Sequence, residues 1–147
     1  MTNNRYNKIR KNKTKILKNL VNVKPNMIYH GKMAWFTKWM LPDQPDSLIM
    51  GFSADQMAFC RNNEKPMWEY LVEHGILFES DRLTIQKFTG YGPFTSDFTR
   101  ESPARASVWL GWRIVEAYAR KHPELSLEDI MKEEDFHKIL TLSEYNP

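Results

Sequence analysis

Hydrophobic residues recur at helical spacing along most of the 147-residue chain, and turn or capping residues separate the periodic stretches. No segment of five or more residues alternates apolar and polar positions as a half-buried strand does. The pattern predicts eight helices, at about residues 5–21, 27–41, 53–63, 64–74, 81–90, 103–121, 125–132 and 135–140. We therefore predict an all-α single domain of about six to eight helices around a buried central helix near Pro103 to Lys121.

The central helix is predicted from the segment ESPARASVWLGWRIVEAYAR, residues 101–120. Ser102 is a typical N-cap, and Pro103 suits the first turn because no partner is needed there for its missing N–H. Pro123 disfavours helical geometry at the residue before it, so the helix should end near Lys121. Only a narrow polar stripe interrupts its apolar surface, which predicts burial on most sides. That stripe consists of Arg105, Arg113, Glu116 and Arg120.

Gly111 lies between Trp109 and Trp112 in the interior of this helix. Glycine there costs roughly 1 kcal/mol relative to alanine, so a compensating contact is expected. We predict that a neighbouring element approaches the helix backbone at Gly111, between the two indoles.

The charge of the chain is unevenly distributed, since residues 1–42 contain ten Lys or Arg and no acid. We divide the chain into a basic, partly helical segment at 1–25 and a helical domain at 26–147. The basic patch consists of Lys8, Arg10, Lys11, Lys13, Lys15 and Lys18. Such a patch can bind nucleic acid or an anionic membrane. The favoured interpretation is neutralisation by the acidic remainder, because no aromatic is interleaved with the cluster between Lys8 and Lys18 as single-strand binding would require.

Motifs that carry catalysis are missing from the sequence. There is no His-Glu-x-x-His zinc motif, and the four histidines are isolated and expected near helix ends or in exposed turns. The lone Cys60 is expected to be a buried structural residue. We predict no catalytic residue, no metal ligand and no cofactor. The chain also shows no apolar run long enough to span a membrane and no secretory signal.

The irregular stretch TGYGPFTSDFTR, residues 89–100, precedes the central helix and is the best candidate for a binding site. Glu101 and Arg105 lie four residues apart beside it, and a local ion pair or capping role is the favoured interpretation. The alternative hypothesis is that Arg105 projects into a cleft with Tyr91 and Phe94, where it binds an anionic or polar ligand.

Five sequence elements occur in a fixed order: YHGKM, MLPD, the Cys60 and Asn63-Glu64 pairing, GPF and ESPARASVWLGWRIV. From about Asn26 to Pro147 this order resembles the C-terminal half of the gliding-motility lipoprotein GldB family of Bacteroidetes. The resemblance implies a cell-envelope lipoprotein associated with motility and secretion, on a scaffold similar to a degenerate zinc peptidase. The lipobox cysteine and the metal-bearing N-terminal half are not found in these residues, which suggests a fragment, a truncated product or a stand-alone remnant.

On this resemblance we expect a non-enzymatic interaction module whose partner is a protein. Two alternatives stay open. The chain is a remnant of a metallopeptidase-like hydrolase that lacks its metal helix, or its basic segment binds nucleic acid or an anionic membrane.

Overall fold

The computed structural model describes residues 7–8, 10–11 and 20–147. From residue 20 onward the chain forms eight α-helices and one 3-10 turn, and no strand occurs among the described residues. The helices are α1 Val23–Met40, α2 Asp46–Met50, α3 Ala54–Asn62, α4 Glu64–Glu73, α5 Arg82–Thr89, α6 Ala106–Lys121, α7 Leu127–Lys132 and α8 Phe136–Ser143, with the 3-10 turn at Ile76–Phe78. The all-α prediction is confirmed.

Short capping signals define several helix starts. At α3, the Ser53 hydroxyl accepts from the Gln56 amide while the Gln56 side chain accepts from the Ser53 amide, which is a complete capping box. Ser126 and Asp129 make the same exchange at α7, and the Asp81 carboxylate caps α5. These predicted starts are confirmed because each depends only on residues within one turn.

The core is organised around the crossing of α1 and α6, where the two backbones touch. A Cβ atom on Gly111 would lie 1.9 Å from the carbonyl oxygen of Met27, and one on Gly31 would lie 2.2 Å from the carbonyl carbon of Gly111. Trp109 and Trp112 are buried beside this contact. The predicted backbone approach at Gly111 is confirmed, and its partner is α1.

The start of α6 differs from the prediction. Ser102 does not cap the helix, because its hydroxyl donates to the carbonyl oxygens of Thr95 at 3.0 Å and Thr99 at 2.6 Å. Thr95 in turn donates to the carbonyl oxygen of Pro103 at 3.0 Å. The helix begins at Ala106, three residues late, because residues 102 and 103 are used to fasten the preceding loop.

Other local predictions also need correction. His30 lies in the middle of α1, not near a helix end, because α1 begins at Val23 rather than at residue 27. Pro25 is tolerated in the first turn, where its missing N–H leaves no bond unmade. The predicted helix at 5–21 lies largely outside the described residues.

Lys32 connects the middle of α1 to the corner between α7 and α8. Its side chain is only 3% exposed, and its ammonium group donates to the carbonyl oxygens of Met131 at 2.9 Å and Glu133 at 2.6 Å. Burial lowers the pKa of Lys32 to about 8, although the carboxylates of Glu133 and Glu134 oppose the shift. The corner is therefore held by a lysine whose charge is costly to bury.

A second polar cluster ties α4, α6 and the C-terminal segment together. The Arg113 guanidinium lies 3.1 Å from one Glu64 oxygen and 2.5 Å from Glu116. The Tyr145 hydroxyl donates to the same Glu64 oxygen at 2.7 Å. Cys60 is buried nearby, as predicted, and burial raises the pKa of its thiol to about 12. Burial and the raised pKa disfavour the thiolate form of Cys60.

We predict that Lys32 makes the fold more stable, relative to a Lys32→Met variant, as pH rises from 7.5 to 10. The folded pKa near 8 lies below the unfolded value of 10.5, so the unfolded state binds more protons in this window. The relative gain in unfolding free energy should be at most about 3 kcal/mol. Urea unfolding at three pH values measures it, with exposed Lys65→Met as control. A pH-independent difference between wild type and Lys32→Met would contradict the prediction.

Candidate binding cleft

The structure brings together two of the four residues proposed for binding. The guanidinium carbon of Arg105 lies 4.5 Å from the centre of the Tyr91 ring, a cation–π contact. Phe94 is half-buried and does not line the cleft described below. Glu101 is exposed and forms no ion pair with Arg105, because Arg105 precedes the helix and the two residues do not share a helical turn.

Arg105 and Tyr91 line a cleft of about 310 Å³ between the α2–α3 region and the irregular segment that precedes α6. One wall is formed by residues 48–52 and Gln56, and the other by residues 91–92 and 103–105. Most of the side chains in these walls are apolar, and Arg105 is the one ionisable group other than Tyr91 that lines the cleft. The cleft is thus an apolar surface with a single positive charge.

Neighbouring bonds hold the two walls in place. The hydrogen bonds of Thr95 and Ser102 fasten residues 95–103 to one another, and the Lys87 ammonium bonds Asp97 of this loop at 2.5 Å. On the other wall, Gly51 ends α2 in a left-handed conformation with φ of 69°, which glycine adopts without strain. Both walls are therefore ordered by their own local bonds before any ligand is present.

Arg105 itself has a strained backbone. Its φ of 65° lies in the left-handed region, where a residue with a Cβ atom is disfavoured. Its side chain makes no capping bond to α6, although it occupies the N-cap position. Glycine adopts this conformation without a Cβ penalty, and asparagine or aspartate tolerates it better than arginine does, so any of the three would suit this position better. The arginine is therefore not explained by the needs of the helix.

The charge of Arg105 is also uncompensated. Within the part of the chain that the structure describes, its guanidinium forms no hydrogen bond or ion pair, whereas Arg113 contacts two carboxylates. Burial lowers the pKa of His30, and the nearby positive charge of Arg105 lowers it further. Arg105 thus acts electrostatically on His30, while no carboxylate of the described residues lies within ion-pair distance of its guanidinium.

A guanidinium in this setting can bind a planar anion. Its N–H donors form a rigid fork that matches both oxygens of a carboxylate, and the Tyr91 ring lies 4.5 Å from the guanidinium carbon. No helix was predicted between residues 41 and 53, so the sequence analysis missed the wall at residues 48–52. The Pro-Asp-Ser sequence before the apolar residues 48–50 is a helix-start signal that would have revealed α2.

A larger cavity, of about 520 Å³, lies between the start of α1 and the α7–α8 corner. Its cation, Lys24, already has a partner, since Nζ lies 3.2 Å from Nδ1 of His137. Burial lowers the pKa of Lys24, and Asp135 opposes this shift. The cavity therefore has its own acid to balance its base, unlike the Arg105 cleft.

The basic patch is described only in part. Lys8, Arg10 and Lys11 are helical and exposed, while Lys13, Lys15 and Lys18 lie outside the described residues. Across the described ranges, no group of three His, Cys, Asp or Glu side chains is arranged to hold a metal ion. No described helix is both long and apolar enough to cross a membrane.

We predict that an Arg105→Gly variant unfolds with a free energy about 1 kcal/mol higher than that of Arg105→Ala. Both variants remove the guanidinium, but only glycine relieves the left-handed strain. Chemical denaturation of the two purified variants measures the difference. Equal stabilities, or a more stable alanine variant, would show that the backbone at this position carries no strain.

Comparison with known proteins agrees with the earlier resemblance and extends it. The family model described as gliding motility protein GldB matches residues 3–147, so the match begins well before Asn26. No curated protein matches the chain, and no solved structure matches it either. Because the family model covers almost the entire sequence, the chain belongs to the GldB gliding motility family.

Proposed function

We propose that this chain acts in gliding motility as a non-enzymatic interaction module, and that it binds a partner protein through the cleft at Arg105. Membership of the GldB family supports the link to motility. The observation that carries the binding role is an ordered arginine in an apolar cleft with no acid to neutralise it.

The energetics of Arg105 support a role outside folding. A left-handed backbone at a residue other than glycine costs on the order of 1–3 kcal/mol, and such strain is concentrated at functional sites. In compensation, the side chain makes only a cation–π contact with the exposed Tyr91, which contributes about 0.5–1 kcal/mol to stability. The backbone strain therefore outweighs the cation–π contact, so an arginine at this position is unfavourable for folding unless its side chain also contacts a partner.

Metal analysis distinguishes this proposal from the alternative of a metallopeptidase-like hydrolase. Stoichiometric zinc in the purified chain, measured by elemental analysis, would favour the hydrolase. The hypothesis of a basic arm that binds nucleic acid or anionic lipid remains a prediction for residues 8–18. Its binding should be strongest at low salt, because it would depend on phosphate contacts.

A complementation experiment tests the proposed function. In a gliding bacterium whose own copy of this gene is deleted, wild type should restore colony spreading and Arg105→Gln should fail to restore it. Arg100→Gln is the matched control, because Arg100 lies in the same loop, is exposed and does not line the cleft. Immunoblots must show equal amounts of the three proteins. Full spreading with Arg105→Gln would overturn the proposal.

A further inference from the structure

We infer that the cleft at Arg105 binds a peptide segment of the partner protein in which an apolar side chain lies next to a carboxylate. The carboxylate bonds Arg105, and the apolar side chain packs between the wall at residues 48–52 and the wall at residues 103–104. The inference rests on the proposed function, since it takes the partner to be a protein and names the chemistry that the cleft selects.

The charge of the cleft indicates a single carboxylate. Arg105 supplies one positive charge and is the one basic side chain among the described residues that line the cleft. A phosphate dianion would leave one negative charge unmatched against apolar walls, which is unfavourable. A carboxylate pairs with one guanidinium through two parallel hydrogen bonds and balances its charge. Charge complementarity therefore favours a carboxylate over a phosphate.

The walls indicate an apolar side chain beside that carboxylate. Leu48 is 64% exposed and Tyr91 is 83% exposed, although both are large residues. Ile49 and Phe52, which are half-buried, continue the same surface inside the cleft. Covering exposed apolar surface contributes about 25 cal/mol per Å² to the free energy of binding, so an apolar ligand group binds this surface more favourably than a polar group does. A bare carboxylate would leave this surface in water.

The volume of the cleft and the open backbone at Gly92 suit a short piece of extended chain. A volume of about 310 Å³ is near the lower end of small-ligand sites, about 300–1,000 Å³, and holds a few side chains rather than a folded surface. Gly92 lines the cleft, and a Cβ atom added to it would meet nothing within 4 Å. The backbone is thus open to a ligand at Gly92.

Gly92 also provides a blocking variant that leaves the fold unchanged. Its φ is not positive, so a side chain there adds no backbone strain, in contrast to Gly51. Gly92→Leu should fill the cleft and keep the wild-type melting midpoint. This variant separates loss of binding from loss of structure.

The probe is a capped tripeptide amide with two leucines followed by glutamate, and its counterpart has glutamine in place of the glutamate. Titration of the full chain, followed by amide chemical shifts, should show binding of the glutamate peptide with shifts at Gly92 and Arg105. The glutamine peptide and Arg105→Gln should each weaken binding roughly tenfold or more, since one charge-assisted contact is lost. Arg100→Gln should bind as wild type does, and Gly92→Leu should not bind.

Equal affinity for the two peptides, or for wild type and Arg105→Gln, would overturn the inference. Displacement of the glutamate peptide by millimolar inorganic phosphate, or preferential binding of phosphatidylglycerol vesicles at Arg105, would also overturn it and indicate a phosphate ligand. If Arg105→Gln abolishes spreading but the peptide does not bind, the ligand inference fails and the proposed function stands. If the peptide binds as expected but Arg105→Gln spreads normally, the proposed function fails instead.

Discussion

The fold depends on one backbone contact, in which α1 and α6 cross without a side chain between them. Gly111 leaves space for the carbonyl group of Met27, and Gly31 leaves space for the peptide that follows Gly111. Because the crossing is this close, large residues beside it, such as Trp109 and Trp112, are almost completely buried. Close packing at such a contact tolerates little added volume. The same helix α1 carries Lys32 to the α7–α8 corner, so the C-terminal part of the chain is positioned by the element that makes the crossing.

The segment that runs from Glu101 through α6 combines two separate roles, and Ala106 divides them. From Ala106 onward most of its residues pack the core, and Arg113 and Glu116 form ion pairs beside it, so these contacts explain their identity. Before Ala106, Ser102 fastens the loop and Arg105 lies in a strained backbone conformation over Tyr91. The stability of the fold explains the residues from Ala106 onward but does not explain Arg105. This difference is the physical ground for placing a binding role at Arg105, just before α6, and not in α6 itself.

The sequence predicted those features that depend on short-range chemistry. The capping boxes at Ser53 and Ser126 involve residues three apart, and Gly111 was informative because glycine in a helix interior needs a compensating contact. The start of α6 could not be predicted in the same way. The Ser102 hydroxyl donates instead to the carbonyl group of Thr95, seven residues earlier, and only the folded loop brings that carbonyl group within hydrogen-bond distance. The wall at residues 48–52 was missed because one turn of helix gives little periodic signal.

The central claim is that the α1–α6 backbone contact determines the fold while the Arg105 cleft does not. Its most direct test is the unfolding free energy of Gly111→Ala, measured by chemical denaturation beside the control Gly92→Ala. The account predicts that the Gly111 variant loses about 2 kcal/mol or more, although alanine is the better helix former, because the added methyl group would collide with the Met27 carbonyl. The control should be unchanged. A Gly111→Ala protein as stable as wild type, or more stable, would contradict the account.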